Sequence, residues 1–220
     1  MIEKKLYLIK HNIERACKIY QRKPQDVQIV AVSKTIASEK IITAINHGLN
    51  IFGENYIKEA KEKWPSLRQQ FPNVKLHLVG HLQSNKVADA LELFDCIHSL
   101  DSKKLAIEIA KYQKKLNKSI ALFIQVNIGN EPQKHGIAIT DLNEFVNFCR
   151  HDLQLNILGL MAITPAGENS SPYYALLKKL AIDNKLSQLS MGMSNDYEDA
   201  IALGANYIRL GTAIFGERNP

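Results

Sequence analysis

Residues 27–35 read VQIVAVSKT, six mostly apolar residues that run into a polar turn. A run of this length, rich in Val and Ile, predicts a buried strand at 27–32, and the apolar spacing of 38–47 predicts an amphipathic helix directly after it. The same alternation continues along the chain. We predict strands at 27–32, 49–52, 75–79, 95–98, 120–126, 157–162, 186–191 and 207–210. We predict helices at 2–21, 38–47, 54–70, 84–94, 102–116, 140–150, 172–183 and 195–203.

This alternation of strands and helices determines the fold class. Strands separated by helices pair in parallel through right-handed crossovers. Eight such units in 220 residues favour a compact closed barrel over an open doubly wound sheet. No linker, low-complexity stretch or strong repeat divides the chain. We therefore predict an α/β fold, a single-domain (β/α)8 TIM barrel over residues 1–220.

The composition is that of a soluble globular protein, with 45% hydrophobic and 23% charged residues. No apolar run approaches the length of a membrane span, and the N-terminus has no signal-peptide stretch. We expect a cytoplasmic monomer without a membrane partner. The formal net charge is +6, but the basic residues are scattered among acidic ones or lie along one helix. Such scatter is more typical of a solvated face, so we expect no nucleic-acid partner.

Cysteine and histidine spacing gives no sign of a metal site. Cys17, Cys96 and Cys149 are far apart and contain no C-x-x-C pair, which argues against disulfides and against zinc. His77 and His81 are four residues apart, a spacing that pairs metal ligands only on a helix, and this segment reads as strand and loop. We expect reduced, buried thiols and no metal.

Lys34 stands at the end of the first predicted strand. In a barrel of this type, ligand-binding groups lie at the C-terminal ends of the strands, and alternation along the strand places Lys34 on the inward face with Val30 and Val32. Burial lowers the pKa of an ammonium group, and a neutral amine is what Schiff-base chemistry with an aldehyde requires. The alternative is a lysine that extends from the strand end into water.

Glycine-rich loops follow the last two predicted strands. Phosphate sites in eight-stranded barrels are commonly built from these two loops and a helix N-terminus. Ser194 precedes a helix that we predict to begin near Asn195, and Gly211 and Thr212 follow the eighth strand, where backbone N–H groups can approach an anion closely. Ser194 is equally suited to be the N-cap of that helix, a role compatible with phosphate binding.

Two further residues belong to this predicted mouth of the barrel. Arg209 alternates with Ile208 and Leu210, so it points inward if the apolar pair faces the helices. A buried guanidinium requires an acceptor, either a pyridine nitrogen or a neighbouring carboxylate. Asn55 follows the second strand, where it either caps the next helix or lines the pocket.

The residues at the strand ends also resemble those of a known family. The motifs are AVSKT (31–35), FGENY (52–56), GHLQSNK (80–86), GLM (159–161), LSMGMSND (189–196) and RLGTAIFG (209–216). In order and spacing, over essentially the whole chain, they resemble the pyridoxal phosphate homeostasis protein family. The pair Thr164-Pro165 departs from the Ile-Pro expected there, and the segment 166–185 looks shorter than usual.

The resemblance implies a barrel like the N-terminal domain of alanine racemase, the type III fold of enzymes that use pyridoxal 5′-phosphate (PLP). It implies that Lys34 forms the internal aldimine, that Ser194 and the backbone of Gly211 and Thr212 hold the phosphate, and that Arg209 faces the pyridine nitrogen. Lys134 resembles a second family lysine linked to cofactor exchange. The full set of cofactor-binding residues expected from the sequence is Lys34, Asn55, Lys134, Met191, Ser194, Arg209, Gly211 and Thr212.

The resemblance further implies a role in PLP homeostasis, with PLP and PLP-dependent apo-enzymes as partners. A racemase-like enzyme is the alternative. Alanine racemases supply a catalytic tyrosine from a C-terminal β domain, whereas this sequence ends at Pro220. An arginine opposite the ring nitrogen would also leave that nitrogen unprotonated and a weak electron sink. We therefore expect slow or absent racemisation; a Schiff-base aldolase or sugar-phosphate isomerase on the same barrel remains open.

Overall fold

Eight parallel strands close into a barrel in the computed structural model of the protein, which describes residues 2–217. Each strand pairs with the next one along the chain, and β1 pairs with β8 to close the ring. The strands are β1 (Gln28–Val32), β2 (Ile51–Glu54), β3 (Lys75–Leu78), β4 (Cys96–Leu100), β5 (Ala121–Gln125), β6 (Ile157–Met161), β7 (Gln188–Ser190) and β8 (Tyr207–Leu210). The predicted (β/α)8 barrel and its eight strands are confirmed.

Helices surround the barrel in the order that the sequence predicts. They are α1 (Ile2–Ile19), α2 (Ser38–Asn46), α3 (Ile57–Gln70), α4 (Val87–Leu93), α5 (Lys103–Leu116), α6 (Leu142–Asn147), α7 (Ser171–Asp183), α8 (Tyr197–Ala202) and α9 (Thr212–Phe215). The short helix α9 was not predicted. Tight 3₁₀ turns precede α4 and α6, and a π-helical turn extends α6, which explains the longer segments expected there.

Alternation along the strands produces two apolar layers. Outward-facing strand residues pack against the helices in the larger core, where Phe52 contacts the buried ring of Trp64. Inside the barrel, Cys96, Phe123 and Met161 form a second cluster, against which Tyr207 packs. This cluster fills part of the barrel interior. Tyr207 therefore contributes to the packing inside the barrel.

The remaining sequence expectations about burial also agree with the structure. Cys17, Cys96 and Cys149 are buried, unpaired thiols. Burial raises the pKa of Cys149 to about 12, so this thiol stays protonated and unreactive near neutral pH. Within residues 2–217, none of the helices combines the length and the apolar character needed to cross a membrane.

Candidate functional site

A cavity of about 900 Å³ opens at the C-terminal ends of the strands. The segments after β1, β2, β3, β5, β6, β7 and β8 contribute to its wall. Seven of the eight residues predicted from the sequence line it: Lys34, Asn55, Lys134, Ser194, Arg209, Gly211 and Thr212. The eighth, Met191, does not, because its fully buried side chain packs in the outer core between strands and helices. The side chain of Asn55 does not cap α3. Of the two roles predicted for Asn55, the structure therefore supports a position in the cavity wall.

The segment after β6 forms a part of the wall that sequence reasoning missed. Residues 163–170 line the cavity from Ile163 to Ser170, and Ile163 and Met193 present partly exposed apolar side chains. Ser170 Oγ lies 3.0 Å from Thr164 Oγ1, which ties the two ends of the segment together. The turn-forming residues of this stretch, TPAGENSS, were the available signal.

Lys34 lies in the turn directly after β1 and is half-buried. The turn is held from α3: Lys63 Nζ donates to the Ser33 carbonyl at 2.9 Å, and the Thr35 N–H donates to Glu59 Oε1 at 2.6 Å. Thr35 adopts a φ of 62°, a left-handed conformation that is unfavourable for a β-branched residue. The contacts with α3 therefore fix a strained turn and, with it, the direction in which Lys34 leaves the strand.

Glu54, at the end of β2, anchors this arrangement beneath the turn. Its carboxylate is fully buried, and Oε1 accepts hydrogen bonds from Ser33 Oγ at 2.7 Å and from Trp64 Nε1 at 3.0 Å. Lys63 Nζ lies 2.7 Å from the same oxygen and 2.9 Å from Glu59 Oε1. A buried carboxylate requires such partners because water cannot solvate it. Glu54 and Lys63 thus join the ends of β1 and β2 to α3.

The loops after β7 and β8 meet at Ser194. Its Oγ accepts the N–H groups of Gly211 at 3.3 Å and Ala213 at 3.2 Å, so the hydroxyl caps the start of α9 from across the cavity wall. Since both amides point at the hydroxyl oxygen, the hydroxyl hydrogen remains for donation elsewhere. The Ser194 hydroxyl and the backbone of Gly211 and Thr212 lie together in the cavity wall, an arrangement suited to a phosphate.

The expectation that Ser194 caps a helix starting near Asn195 is wrong. Helix α8 begins at Tyr197, and Asp196 is its N-cap residue. The reason is that Asp196 Oδ1 accepts the Met193 N–H at 2.6 Å, which holds residues 193–196 in a turn. Its other oxygen accepts hydrogen bonds from Ser170 and Tyr174, both at 2.7 Å. Asp196 therefore links the β6, α7 and β7 segments around the cavity.

Arg209 points into the barrel, as its alternation with Ile208 and Leu210 predicts, and is 5% exposed. Nη1 donates to Ser190 Oγ at 2.7 Å and Nη2 to the Ala162 carbonyl at 2.9 Å. Burial lowers the pKa of Arg209, and the nearby Tyr174 and Asp196 oppose that shift. The Ser190 hydroxyl and the Ala162 carbonyl thus hold the guanidinium at the cavity. Among the described residues, no carboxylate forms a hydrogen bond with it.

A chain of hydrogen bonds runs from Arg209 to the centre of the barrel. Ser190 Oγ lies 2.8 Å from His98 Nδ1, and His98 Nε2 lies 3.0 Å from His77 Nδ1. A guanidinium only donates, so the Ser190 hydroxyl hydrogen is available for His98 Nδ1, and in the tautomer that accepts it His98 donates from Nε2 to His77. Burial lowers the pKa of His77 to about 4 and that of His98 well below its usual value. Both imidazoles are neutral near neutral pH, as this order of donation requires.

Lys134 reaches the cavity from the loop after β5. Its Nζ lies 2.5 Å from Glu131 Oε1 and 3.4 Å from the Thr164 carbonyl, and the side chain is half-buried. Asn127 fixes the loop because its Oδ1 accepts the Glu131 N–H at 3.1 Å and its Nδ2 donates to the Glu131 carbonyl at 2.9 Å. Lys34 and Lys134 therefore face one cavity from two rigidly held turns.

We expect Ser194→Ala to weaken anion binding at this cavity without unfolding the barrel. The substitution removes a donor, and a hydrogen bond to a charged group contributes about 1.5–3 kcal/mol. The lost cap of α9 should lower the free energy of unfolding by only about 1 kcal/mol. Ser102→Ala is a matched control, because Ser102 caps α5 by accepting the Leu105 N–H at 3.3 Å and does not line the cavity. PLP titration and thermal denaturation of both variants measure the two effects; equal PLP affinity of Ser194→Ala and parent would reduce Ser194 to a cap.

Three comparisons relate the chain to known proteins. The family model described as "Alanine racemase, N-terminal domain" matches residues 5–219. The pyridoxal phosphate homeostasis protein of Haemophilus influenzae is 35% identical over an alignment of 229 residues. The alignment covers 99% of this chain and 96% of the relative. Its namesake from Aquifex aeolicus is 36% identical and covers 97% of both chains. The structure of PipY from Synechococcus elongatus with PLP bound has a TM-score of 0.82 and 35% identity, and covers 93% of this chain and 100% of PipY.

Proposed function

This chain belongs to the pyridoxal phosphate homeostasis protein family, and from that premise we propose that it binds PLP at the cavity and buffers or supplies the cofactor inside the cell. One observation carries the proposal: an inward lysine, the Ser194 hydroxyl beside the backbone of Gly211 and Thr212, and a buried arginine line the same cavity. Its volume of about 900 Å³ lies within the range of small-molecule sites, roughly 300–1,000 Å³.

The donors of the cavity match the groups of PLP. We assign the phosphate to the Ser194 hydroxyl and to the backbone N–H groups of Gly211 and Thr212, where the Gly211 N–H, which donates to Ser194 Oγ at 3.3 Å, would be shared with the anion. Arg209 lies on the floor of the cavity, where a ring acceptor would meet a guanidinium held in place by Ser190 and Ala162. We place Asn55 in the wall beside the ring and leave Met191 out of the set, because its side chain faces the outer core.

When bound, PLP supplies an aldehyde carbon that a lysine amine can join as a Schiff base with loss of one water. We assign this lysine to Lys34. The hydrogen bonds from Lys63 and to Glu59 fix the turn that carries it, so the amine is presented to the cavity from a constant direction. This preorganisation supports attachment at Lys34 over attachment at the looser surface lysines.

We propose a carrier and not a dedicated racemase. The guanidinium of Arg209 has only hydrogen-bond donors and does not readily give up a proton. A pyridine nitrogen that faces it would therefore stay unprotonated, and the ring would withdraw electrons only weakly from a bound substrate. The described residues that line the cavity include no tyrosine, histidine or cysteine. Of the other ionisable groups in the wall, Glu168 and Asp196 accept hydrogen bonds from Tyr173 and Tyr174, and Lys134 pairs with Glu131, so none of these three is positioned as a free second acid or base. Two-base racemisation requires such a group on the opposite face of the ring.

The test is a paired assay on one preparation. Protein saturated with PLP is mixed with the apo form of a PLP-dependent enzyme, and recovery of that enzyme's activity is followed beside an amino-acid racemase assay. The proposal expects transfer of the cofactor and racemisation far slower than in a dedicated enzyme. Robust racemisation, or failure to bind PLP at all, would overturn it.

We expect Lys134→Ala to slow this transfer more than it changes the absorption spectrum. Once released from Glu131 and deprotonated, the Lys134 amine could bond to the aldehyde carbon as the bond to Lys34 breaks, and water could then hydrolyse the Lys134 adduct to free the aldehyde. An amine in the same cavity acts at high effective concentration, so loss of Lys134 should slow release by at least about tenfold. Lys111→Ala is the matched control, because Lys111 also pairs with a glutamate three residues earlier, on the outside of α5. Equal transfer by parent and Lys134→Ala protein would remove Lys134 from the exchange.

We further propose that the protein acts as a cytoplasmic monomer with PLP-dependent apo-enzymes as partners. Three buried thiols without disulfides suit a reducing compartment. A closed barrel also leaves no unpaired strand edge to template association. Sedimentation of the purified protein over a concentration range tests the oligomeric state.

A further inference from the structure

Three metal-ligating side chains meet on the rim of the barrel outside the cavity. His81, Asp101 and His135 follow β3, β4 and β5, so three consecutive loops bring them together. His81 Nδ1 lies 3.0 Å and His135 Nδ1 lies 3.6 Å from Asp101 Oδ2. The two imidazole rings stack at 3.9 Å between centroids, with 12° between their planes. None of the three residues lines the PLP cavity described above.

Asp101 is the unusual member of this rim triad. Its side chain is only 7% exposed, whereas those of His81 and His135 are 39% and 59% exposed. A carboxylate removed from water needs hydrogen-bond donors or a cation. Here Oδ2 is within hydrogen-bond distance of His81 Nδ1 and faces His135 Nδ1, and both imidazole side chains are exposed to solvent. The carboxylate thus forms the floor of a small, accessible site, and the imidazoles form its walls.

The distances suit a bound ion. Ligand atoms that sit about 2.0–2.1 Å from a tetrahedral metal lie roughly 3.3 Å from one another. The measured separations of 3.0 and 3.6 Å bracket that value, and all three ligand atoms lie within 4.8 Å of one another. An imidazole binds a metal in its own ring plane, so the two stacked rings would have to turn relative to each other for both Nδ1 atoms to reach one ion, and the ion would replace the hydrogen bond between His81 Nδ1 and Asp101 Oδ2.

We propose that His81, Asp101 and His135 bind a divalent transition-metal ion of the Zn²⁺ class. Two imidazole nitrogens and one carboxylate oxygen suit Zn²⁺, Co²⁺ or Ni²⁺, whereas Mg²⁺ and Ca²⁺ prefer oxygen ligands alone. Three protein ligands leave a coordination position for water. Because His135 follows Lys134 in sequence, a bound ion would also pin the loop that carries Lys134 to the loops after β3 and β4.

A second cluster, formed by His77, Cys96 and His98 inside the barrel, is the competing location. Its imidazoles already take part in the hydrogen-bond chain from Arg209, and all three residues are buried. An ion there would break that chain and would need a path through the packed interior. The exposed rim triad has neither obstacle.

The test is calorimetric titration of the metal-free full-length chain with ZnCl₂, alongside Co²⁺ absorption as a report on ligand geometry. We expect one Zn²⁺ per chain and an affinity at least about tenfold weaker in His81→Ala, Asp101→Asn and His135→Ala. His151→Ala, which removes an exposed histidine elsewhere, and Cys96→Ala should leave the affinity unchanged. Lys34→Ala should also leave it unchanged, which separates this site from PLP binding.

Each other outcome counts against the rim triad. Absence of Zn²⁺ binding by the parent, or parental affinity in both His81→Ala and His135→Ala, would overturn the proposal. Loss of binding in Cys96→Ala would move the ion to the buried cluster and equally reject the rim. Since His81 and His135 are exposed, their replacement should not unfold the chain, and a parental melting temperature checks this.

Discussion

After gel filtration has removed free PLP, which is itself yellow, Lys34→Ala protein should be colourless and should retain less than about 1% of the cofactor held by the parent. The reason is that the variant cannot form the covalent bond between Lys34 and the aldehyde carbon of PLP, so only the contacts of the protein with the phosphate and the ring would remain. Lys34→Arg should behave in the same way, because a guanidinium keeps the positive charge but does not form a stable Schiff base. The absorption spectrum before and after desalting measures both properties.

Lys86→Ala is the control for this experiment. Lys86 also follows a strand, β3, but it is exposed and lies outside the cavity. We expect its spectrum and cofactor retention to match those of the parent. A coloured Lys34→Ala protein that keeps PLP through gel filtration would show that another residue carries the cofactor.

Glu54→Ala should lower the free energy of unfolding by about 3–5 kcal/mol, the usual effect of removing one partner of a buried ion pair. It leaves the ammonium of Lys63, whose side chain is 9% exposed, without its nearest buried anion. Trp64 Nε1 and Ser33 Oγ lose their acceptor as well. Chemical denaturation measures the change, and weaker PLP retention should accompany it because the turn that carries Lys34 is no longer anchored.

An exposed ion pair provides the comparison. Lys179 and Asp183 pair at 2.8 Å on the surface of α7, with side chains 72% and 50% exposed. Asp183→Ala should therefore change the free energy of unfolding by less than about 1 kcal/mol. Similar losses in Asp183→Ala and Glu54→Ala would mean that the buried network contributes little to the fold.

Periodicity and barrel geometry together predicted most of the site. Val32, Lys34 and Arg209 all line the cavity because alternation fixes which side of a strand a residue faces, and strand ends meet at one rim. The same rule would have excluded Met191. Ser190 points inward toward Arg209, so its neighbour Met191 must face the helices.

The remaining errors come from contacts that no local pattern encodes. The start of α8 depends on a hydrogen bond from the Met193 N–H to the Asp196 side chain, which outcompetes the first helical turn. The hydrogen bonds of Ser190 with His98 cross the barrel interior and depend on strand stagger, which the sequence does not display. The rim triad likewise joins side chains from three loops, whereas the sequence spacing of His77 and His81 gave no indication of it.

The central claim is that Lys34 carries PLP, and peptide mapping after borohydride reduction tests it most directly. Protein loaded with PLP is reduced, digested and analysed by mass spectrometry, with unreduced protein as the reference. We predict that the reduced cofactor is found on the peptide containing Lys34 and that the absorption band disappears as the label forms. A label on Lys134 or on a surface lysine instead, or no label on coloured protein, would contradict this account of the site.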